Sequence, residues 1–156
     1  MQISKISHPN NASEINNLVV DLLRKLKSQQ DKKLVNAEEK NRQKRRIVCG
    51  AHETLKFAQS GKLKMAIYAE NLDENNIRAA SNFHFLQKIC PAAEIPLVES
   101  LTRREMSRIV KKFPYVGMIG ILDYSGFEAE FNEVVKHWRR SDSFKLFHID
   151  QFSILP

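Results

Sequence analysis

From Ser13 onward, apolar residues recur at three- and four-residue intervals, as Ile15, Leu18, Val19, Leu22, Leu23 and Leu26, with Arg24, Lys25 and Lys27 on the remaining surface. This spacing predicts an amphipathic helix whose stripe docks on its own domain or on a partner. The next stretch, SQQDKKLVNAEEKNRQKRR, has only Leu34 and Val35 as apolar anchors and reads as a charged helix or a linker. Upstream, residues 1–12 lack periodicity and contain His8-Pro9-Asn10-Asn11, which predicts a disordered or loosely attached lead-in.

Beyond the charged stretch the pattern alternates. A helix is predicted from about Gly50 to Gln59, ending near Ser60-Gly61, then a short strand from Leu63 to Ala69 and a polar loop over 71–76. Ile77, Phe83, Leu86 and Ile89 predict a helix over 77–92, with its end marked by Pro91. A strand at Ile95 to Glu99, a helix from about Thr102 to Val110, the basic loop KKFPY and the strand GMIGIL follow. After a turn at Asp123 to Gly126, Phe127, Phe131, Val134 or Val135, and Trp138 predict a last helix. Strands separated by helices imply a layered α/β fold with helices on both faces of the sheet. The tail SDSFKLFHIDQFSILP, residues 141–156, is apolar enough to pack back on the domain.

A chain of 156 residues is the size of one compact domain with appendages. Its 25 Lys and Arg exceed 18 Asp and Glu, a net charge of +7 that favours an anionic partner. No uncharged apolar run reaches membrane-spanning length and the first residues lack an apolar signal core, so membrane-spanning and secreted readings are disfavoured. Cys49 and Cys90 are too few for a disulfide scaffold or a thiolate zinc cage, and a reducing compartment is expected.

The charge is concentrated. Arg24 to Lys64 holds 13 of the 25 Lys and Arg against four acidic residues, and its tightest cluster is Arg42, Lys44, Arg45 and Arg46. Such a cluster is either a solvated linker or a phosphate-contacting patch. On the following helix Glu53 and Lys56 share a face, and His52 meets Lys56 at four residues. An isolated pair of this kind is ordinary surface electrostatics. It also suits base edges, since a carboxylate accepts from base amines and an ammonium donates to carbonyl oxygen or N7. In the loop Lys111-Lys112-Phe113-Pro114-Tyr115, either Phe113 closes the core, or a ring stacks an unpaired base while the lysines hold phosphate. An enzyme is not expected: there is no Gly-rich phosphate loop, HExxH, GxSxG or zinc-spaced cysteine pair, and the five histidines share no spacing. No cofactor or metal is expected either.

The run RRIVCGAHETLKFAQSGKLKMAIYAEN, the helix RREMSRIVKK and the strand with turn VGMIGILDYSG resemble the kink-turn-binding ribosomal protein superfamily (L7Ae/L30e-like), and within it the SECIS-binding branch. INNLVVDLLRKLKSQQDKK is similar to the helix that precedes the domain in that branch. The resemblance implies a three-layer α-β-α sandwich around a small mixed β-sheet, with an N-terminal helical extension over 13–46 and the RNA-binding domain over 47–140.

It also implies site residues. The superfamily's G-x-N-E-x-x-K run, which reads tandem sheared G·A pairs, matches Gly50, His52, Glu53 and Lys56, with His52 in place of the usual Asn. Asp73 stands at the acidic position after the first core strand, one methylene shorter than Glu. Lys111, Lys112, Phe113, Pro114 and Tyr115 match the loop that clamps a protruding nucleotide, and the Leu-Gly-Arg step before it is Met106-Ser107-Arg108. The implied function is an RNA-binding adaptor that holds the SECIS element of selenoprotein messages and supports selenocysteine insertion at UGA codons. Its implied partners are kink-turn RNA, the ribosome and the selenocysteine-specific elongation factor, with no membrane. Its implied location is the cytoplasm, with the nucleus open as a second compartment. The competing implication is a structural kink-turn-binding component of a ribosome or small ribonucleoprotein particle.

Overall fold

The computed structural model describes residues 3–36, 45–73 and 75–145. Among the described residues five helices, α1 (Ile3–Asn36), α2 (Ala51–Gln59), α3 (Ile77–Ala92), α4 (Arg103–Val110) and α5 (Glu128–Trp138), alternate with four strands. These are β1 (Ile47–Cys49), β2 (Met65–Tyr68), β3 (Leu97–Glu99) and β4 (Met118–Ile121), in the order β1-β4-β2-β3. β4 runs antiparallel to both neighbours, pairing Val48 and Ala66 with Gly120, whereas β2 and β3 are parallel, so the sheet is mixed.

Strand alternation divides the core into two layers, because successive side chains leave a strand on opposite faces. Met65, Ile67, Val98, Ile119 and Ile121 pack with α1, α4 and α5. Ala66, Leu97 and Met118 pack with α2 and α3. The result is the three-layer α-β-α sandwich.

α1 belongs to this core. Ile15, Val19, Leu22, Leu23 and Leu26 are buried in the same cluster as Trp138 and Met106, so the stripe docks on its own domain. The helix starts at Ile3, ten residues before Ser13, and continues to Asn36. The stretch expected as a lead-in is therefore helical from Ile3, and the first part of the charged stretch is helix. Two side-chain amides fasten α1. Asn16 Oδ1 accepts from Ser100 Oγ at 2.6 Å and from the Leu101 N–H at 3.2 Å. Gln30 Oε1 accepts the Arg46 N–H at 2.7 Å and the Ile47 N–H at 3.0 Å. Across the opposite edge of the sheet, Trp138 Nε1 donates to the Leu97 carbonyl at 3.0 Å.

Two local expectations differ from the structure. β1, only three residues long, is too short to show alternation and was not predicted. Pro91 lies inside α3 and does not end it. The end is set by Glu94, which takes φ 57°, with Ile95 N–H donating to the Cys90 carbonyl and Glu94 N–H to the Pro91 carbonyl, the pattern of a left-handed helix cap. The tail begins by packing back, with the Phe144 ring set edge-on to Trp138 at 4.9 Å, and its residues 146–156 lie outside the described residues.

Leu22→Ala at a fully buried position of α1 is expected to lower stability by about 2–5 kcal/mol. Gln30→Leu, which strands two amides at β1, should cost about 1–3 kcal/mol. Urea unfolding midpoints at unchanged slope measure both effects.

Candidate nucleic-acid interface

The site is built where β1 turns into α2. Gly50, at φ 97°, has a left-handed backbone that glycine adopts without strain. Its N–H donates to the Met118 carbonyl at 2.8 Å, and its own carbonyl accepts from Thr54 N–H and Thr54 Oγ1 at 3.1 and 2.7 Å. Beneath α2 the strand carries Gly120. A Cβ there would lie 2.9 Å from Leu63 Cδ1, 3.0 Å from Val48 Cγ2 and 3.2 Å from Thr54 Cγ2, so the helix rests at a height set by the missing side chain. From this platform His52 and Lys56 reach solvent and Glu53 is half-buried. Among the described residues none of the three is in an ion pair, which leaves a carboxylate acceptor and an ammonium donor available side by side.

Glu53 also lines a cleft of about 80 Å³ into which Lys27 and Gln30 of α1, Arg45 and Lys112 project from other elements. Cys49 lies in it; burial pushes its thiol up, opposed by the positive charge of Lys112, Lys27 and Arg45. Cations distant in sequence thus line the same cleft as Glu53. Lys27 and Gln30 were not among the residues singled out from the sequence; their signal was a position on the polar flank of the α1 stripe.

The loop after α4 forms the second part of the site. Lys111 takes φ 57° and turns the chain out of the helix. Ser107, nearly fully buried, donates its hydroxyl to the Lys112 carbonyl, while Lys112 N–H donates to the Ser107 carbonyl at 3.2 Å. The serine that replaces glycine in the expected step is thus the anchor of the loop. The Phe113-Pro114 bond is cis. Phe113 is 77% and Tyr115 61% exposed, which excludes the reading in which Phe113 closes the core. A concavity of about 400 Å³ lies between Arg104 and Arg108 on α4 and the side chains of Phe113, Pro114 and Tyr115.

Asp73 is joined to this loop through Arg103. Its carboxylate accepts the Asn75 N–H at 3.1 Å and lies 3.8 Å from Arg103 Nη1, and the Arg103 guanidinium sits 5.2 Å from the centre of the Tyr115 ring. Arg103 and Arg104 were likewise not anticipated.

Within the basic cluster, Arg45 is exposed, but Arg46 is not a surface cation. Arg46 is 7% exposed, donates from Nη1 to the Ser125 carbonyl at 2.8 Å and lies 5.8 Å from the Phe127 ring centre. Its role is to tie β1 to the turn before α5, which removes it from the expected phosphate-contacting set. Arg42 and Lys44 lie outside the described residues.

Residues 32–130 match the Ribosomal protein L7Ae/L30e/S12e/Gadd45 family. The chain belongs to this family. Family membership makes the site a binding surface and not a catalytic centre. Among L7Ae-family relatives, selenocysteine insertion sequence-binding protein 2 of Rattus norvegicus is 28% identical over 127 residues, 80% of this chain and 15% of the rat protein. Selenocysteine insertion sequence-binding protein 2-like of Homo sapiens is 30% identical over 125 residues, 79% of this chain and 11% of the human protein. The chain therefore spans a small part of the length of these relatives. The solved 15.5kD RNA binding protein of Giardia lamblia superposes with a TM-score of 0.62 at 20% identity, covering 81% of this chain and 89% of that one, which shows a shared fold.

The separation of Arg45 from Arg46 is directly measurable. Arg46→Ala should lower stability by about 1–3 kcal/mol through the lost bond to Ser125. Arg45→Ala should stay within about 0.5 kcal/mol of the parent. Chemical denaturation of the two variants checks the assignment.

Proposed function

We propose that this L7Ae-family domain binds a kinked RNA containing tandem sheared G·A pairs, and that the RNA is a selenocysteine insertion sequence element. The observation that carries the reading is the pair Glu53 and Lys56 near the start of α2, without an ion pair among the described residues, beside the cleft that Lys27, Arg45 and Lys112 line. A carboxylate accepts from the exposed amines of a G·A pair and an ammonium donates to its carbonyl and N7 positions, while the flanking cations neutralise phosphate. His52 adds a donor or acceptor at the same face.

In this reading, the loop Lys111 to Tyr115 holds the nucleotide that a kink extrudes. Its rings are exposed, its backbone is tied to Ser107, and Arg104 and Arg108 supply charge on the opposite wall. That the rat and human relatives are a selenocysteine insertion sequence-binding protein 2 and a 2-like protein supports the identity of the RNA. The domain then acts as an adaptor in the cytoplasm, and also in the nucleus where its messages are made. It presents the bound element to the ribosome and the selenocysteine-specific elongation factor. Stoichiometric recovery of one stable structural RNA with the protein would instead favour a component of a ribosome or small ribonucleoprotein particle.

The isolated protein should bind an RNA with tandem G·A pairs beside a bulge far more tightly than a fully paired duplex of equal length. Equal affinities in calorimetry at fixed salt would reject specific recognition. Glu53→Ala or Lys56→Ala should cost about 1–3 kcal/mol on the intact target and relax discrimination against a G·A-disrupted one. Arg45→Ala should weaken both RNAs alike and flatten the salt dependence.

Replacing Phe113 and Tyr115 together by Ala should cost roughly 1–3 kcal/mol per stacked base on the bulged target and leave duplex binding nearly unchanged. A variant with the parental thermal transition and parental affinity would show that these rings do not hold the nucleotide.

A further inference from the structure

A groove of about 750 Å³ runs between α1 and α4, apart from the residues assigned to G·A recognition. One wall carries Arg24, Lys27 and Lys32 of α1, and the other carries Arg108 and Lys111, with Val20 and Ile109 also lining it. Arg24 and Lys32 lie eight residues apart, about 12 Å along the helix axis, and Lys27 falls between them. Two carboxylates also line the groove, and both are already engaged. Asp31 accepts from Lys27 Nζ at 2.8 Å. Glu105 accepts from the Thr102 N–H and hydroxyl at 3.1 and 3.0 Å, as the cap of its own helix. Arg24, Lys32, Arg108 and Lys111 make no ion pair with any other described residue. Among the described residues the groove therefore carries five cations against two carboxylates, an excess of three positive charges on two facing walls, and no aromatic ring lines it.

Its position gives those charges a direction. Arg108 lines both this groove and the concavity of Phe113 and Tyr115, whereas Lys27 lines both this groove and the cleft of Glu53. The groove is thus the continuous basic path between the two parts of the site.

We infer that the α1–α4 groove is a further RNA-binding site, which takes the phosphodiester backbone of a stem flanking the recognised internal loop. The inference rests on the RNA-binding reading above and adds a contact that reads charge and no bases, since Lys and Arg without stacking partners bind phosphate independently of sequence. Phosphates entering between the walls would extend the footprint of the domain along the stem and make stem length part of the affinity.

The test uses the full chain and two RNAs that share one kink-turn loop, with a flanking stem of a few base pairs or of a full helical turn. The parent should bind the long-stem RNA on the order of tenfold more tightly, and the gain should shrink as salt rises. Arg24→Gln/Lys32→Gln should abolish the gain and reduce the salt slope by roughly 1.5–2, about one phosphate for each charge removed. It should leave short-stem binding at the parental value. Arg139→Gln/Arg140→Gln removes the same charge just past the end of α5, from residues that do not line the groove, and should keep the gain. The inference is overturned if the groove variant retains the stem-length gain, or if the α5 variant loses it equally. A parent that prefers neither kink-turn RNA over paired duplex would remove the underlying reading as well, and that comparison keeps the two failures apart.

Discussion

Asn16 and Gln30 stand fourteen residues apart on α1, about 21 Å along its axis and on nearly the same face. Each accepts donors from a distant segment, Ser100 and Leu101 in one case and Arg46 and Ile47 in the other. Between them the stripe from Val19 to Leu26 is wholly buried. This double anchorage fixes the rotation as well as the place of the helix, since a one-residue slip would turn it by about 100° and carry both amides away from their donors. With the rotation fixed, Lys27 faces the Glu53 cleft, and Arg24 and Lys32 face α4. The basic surface is therefore a by-product of how the apolar face is held.

The same division of labour recurs at the other parts of the site. The groups proposed to bind rest on buried neighbours. Glu53 and Lys56 ride on Thr54 and on the space left by Gly120, while the rings of Phe113 and Tyr115 stand on a loop tied down by Ser107. Exposed cations and rings can be presented in a fixed geometry only if their backbone is held from below, because each long side chain carries its own rotamer entropy into the complex.

How much of this the sequence reveals depends on the length scale of the signal. The stripe of α1, the helix over 77–92 and the strand around Ile67 have enough periods to be read, and the sandwich follows from their alternation. β1 has three residues and no period. Arg45 and Arg46 look alike in a basic run, but Arg45 is exposed, whereas the Ser125 carbonyl and the Phe127 ring, some 80 residues on, hold Arg46 buried. The fate of Phe113 could not be read locally, because an aromatic residue beside two lysines suits a core edge and a stacking platform equally well. Gln30 and Arg103 gain their places through contacts across 16 to 32 residues, and Ser107 through a loop bending back, which no local pattern encodes.

Both outer strands of the sheet have backbone groups that a neighbouring chain could otherwise use. At β1 the Gln30 amide occupies the Ile47 N–H, and at β3 the Trp138 indole occupies the Leu97 carbonyl. A strand from another molecule, or from a misfolded copy, would have to displace a helix side chain at either margin before it could add to the ladder. A small, strongly basic domain that is concentrated along a polyanion is thus guarded against strand-by-strand self-association at the points where crowding would promote it.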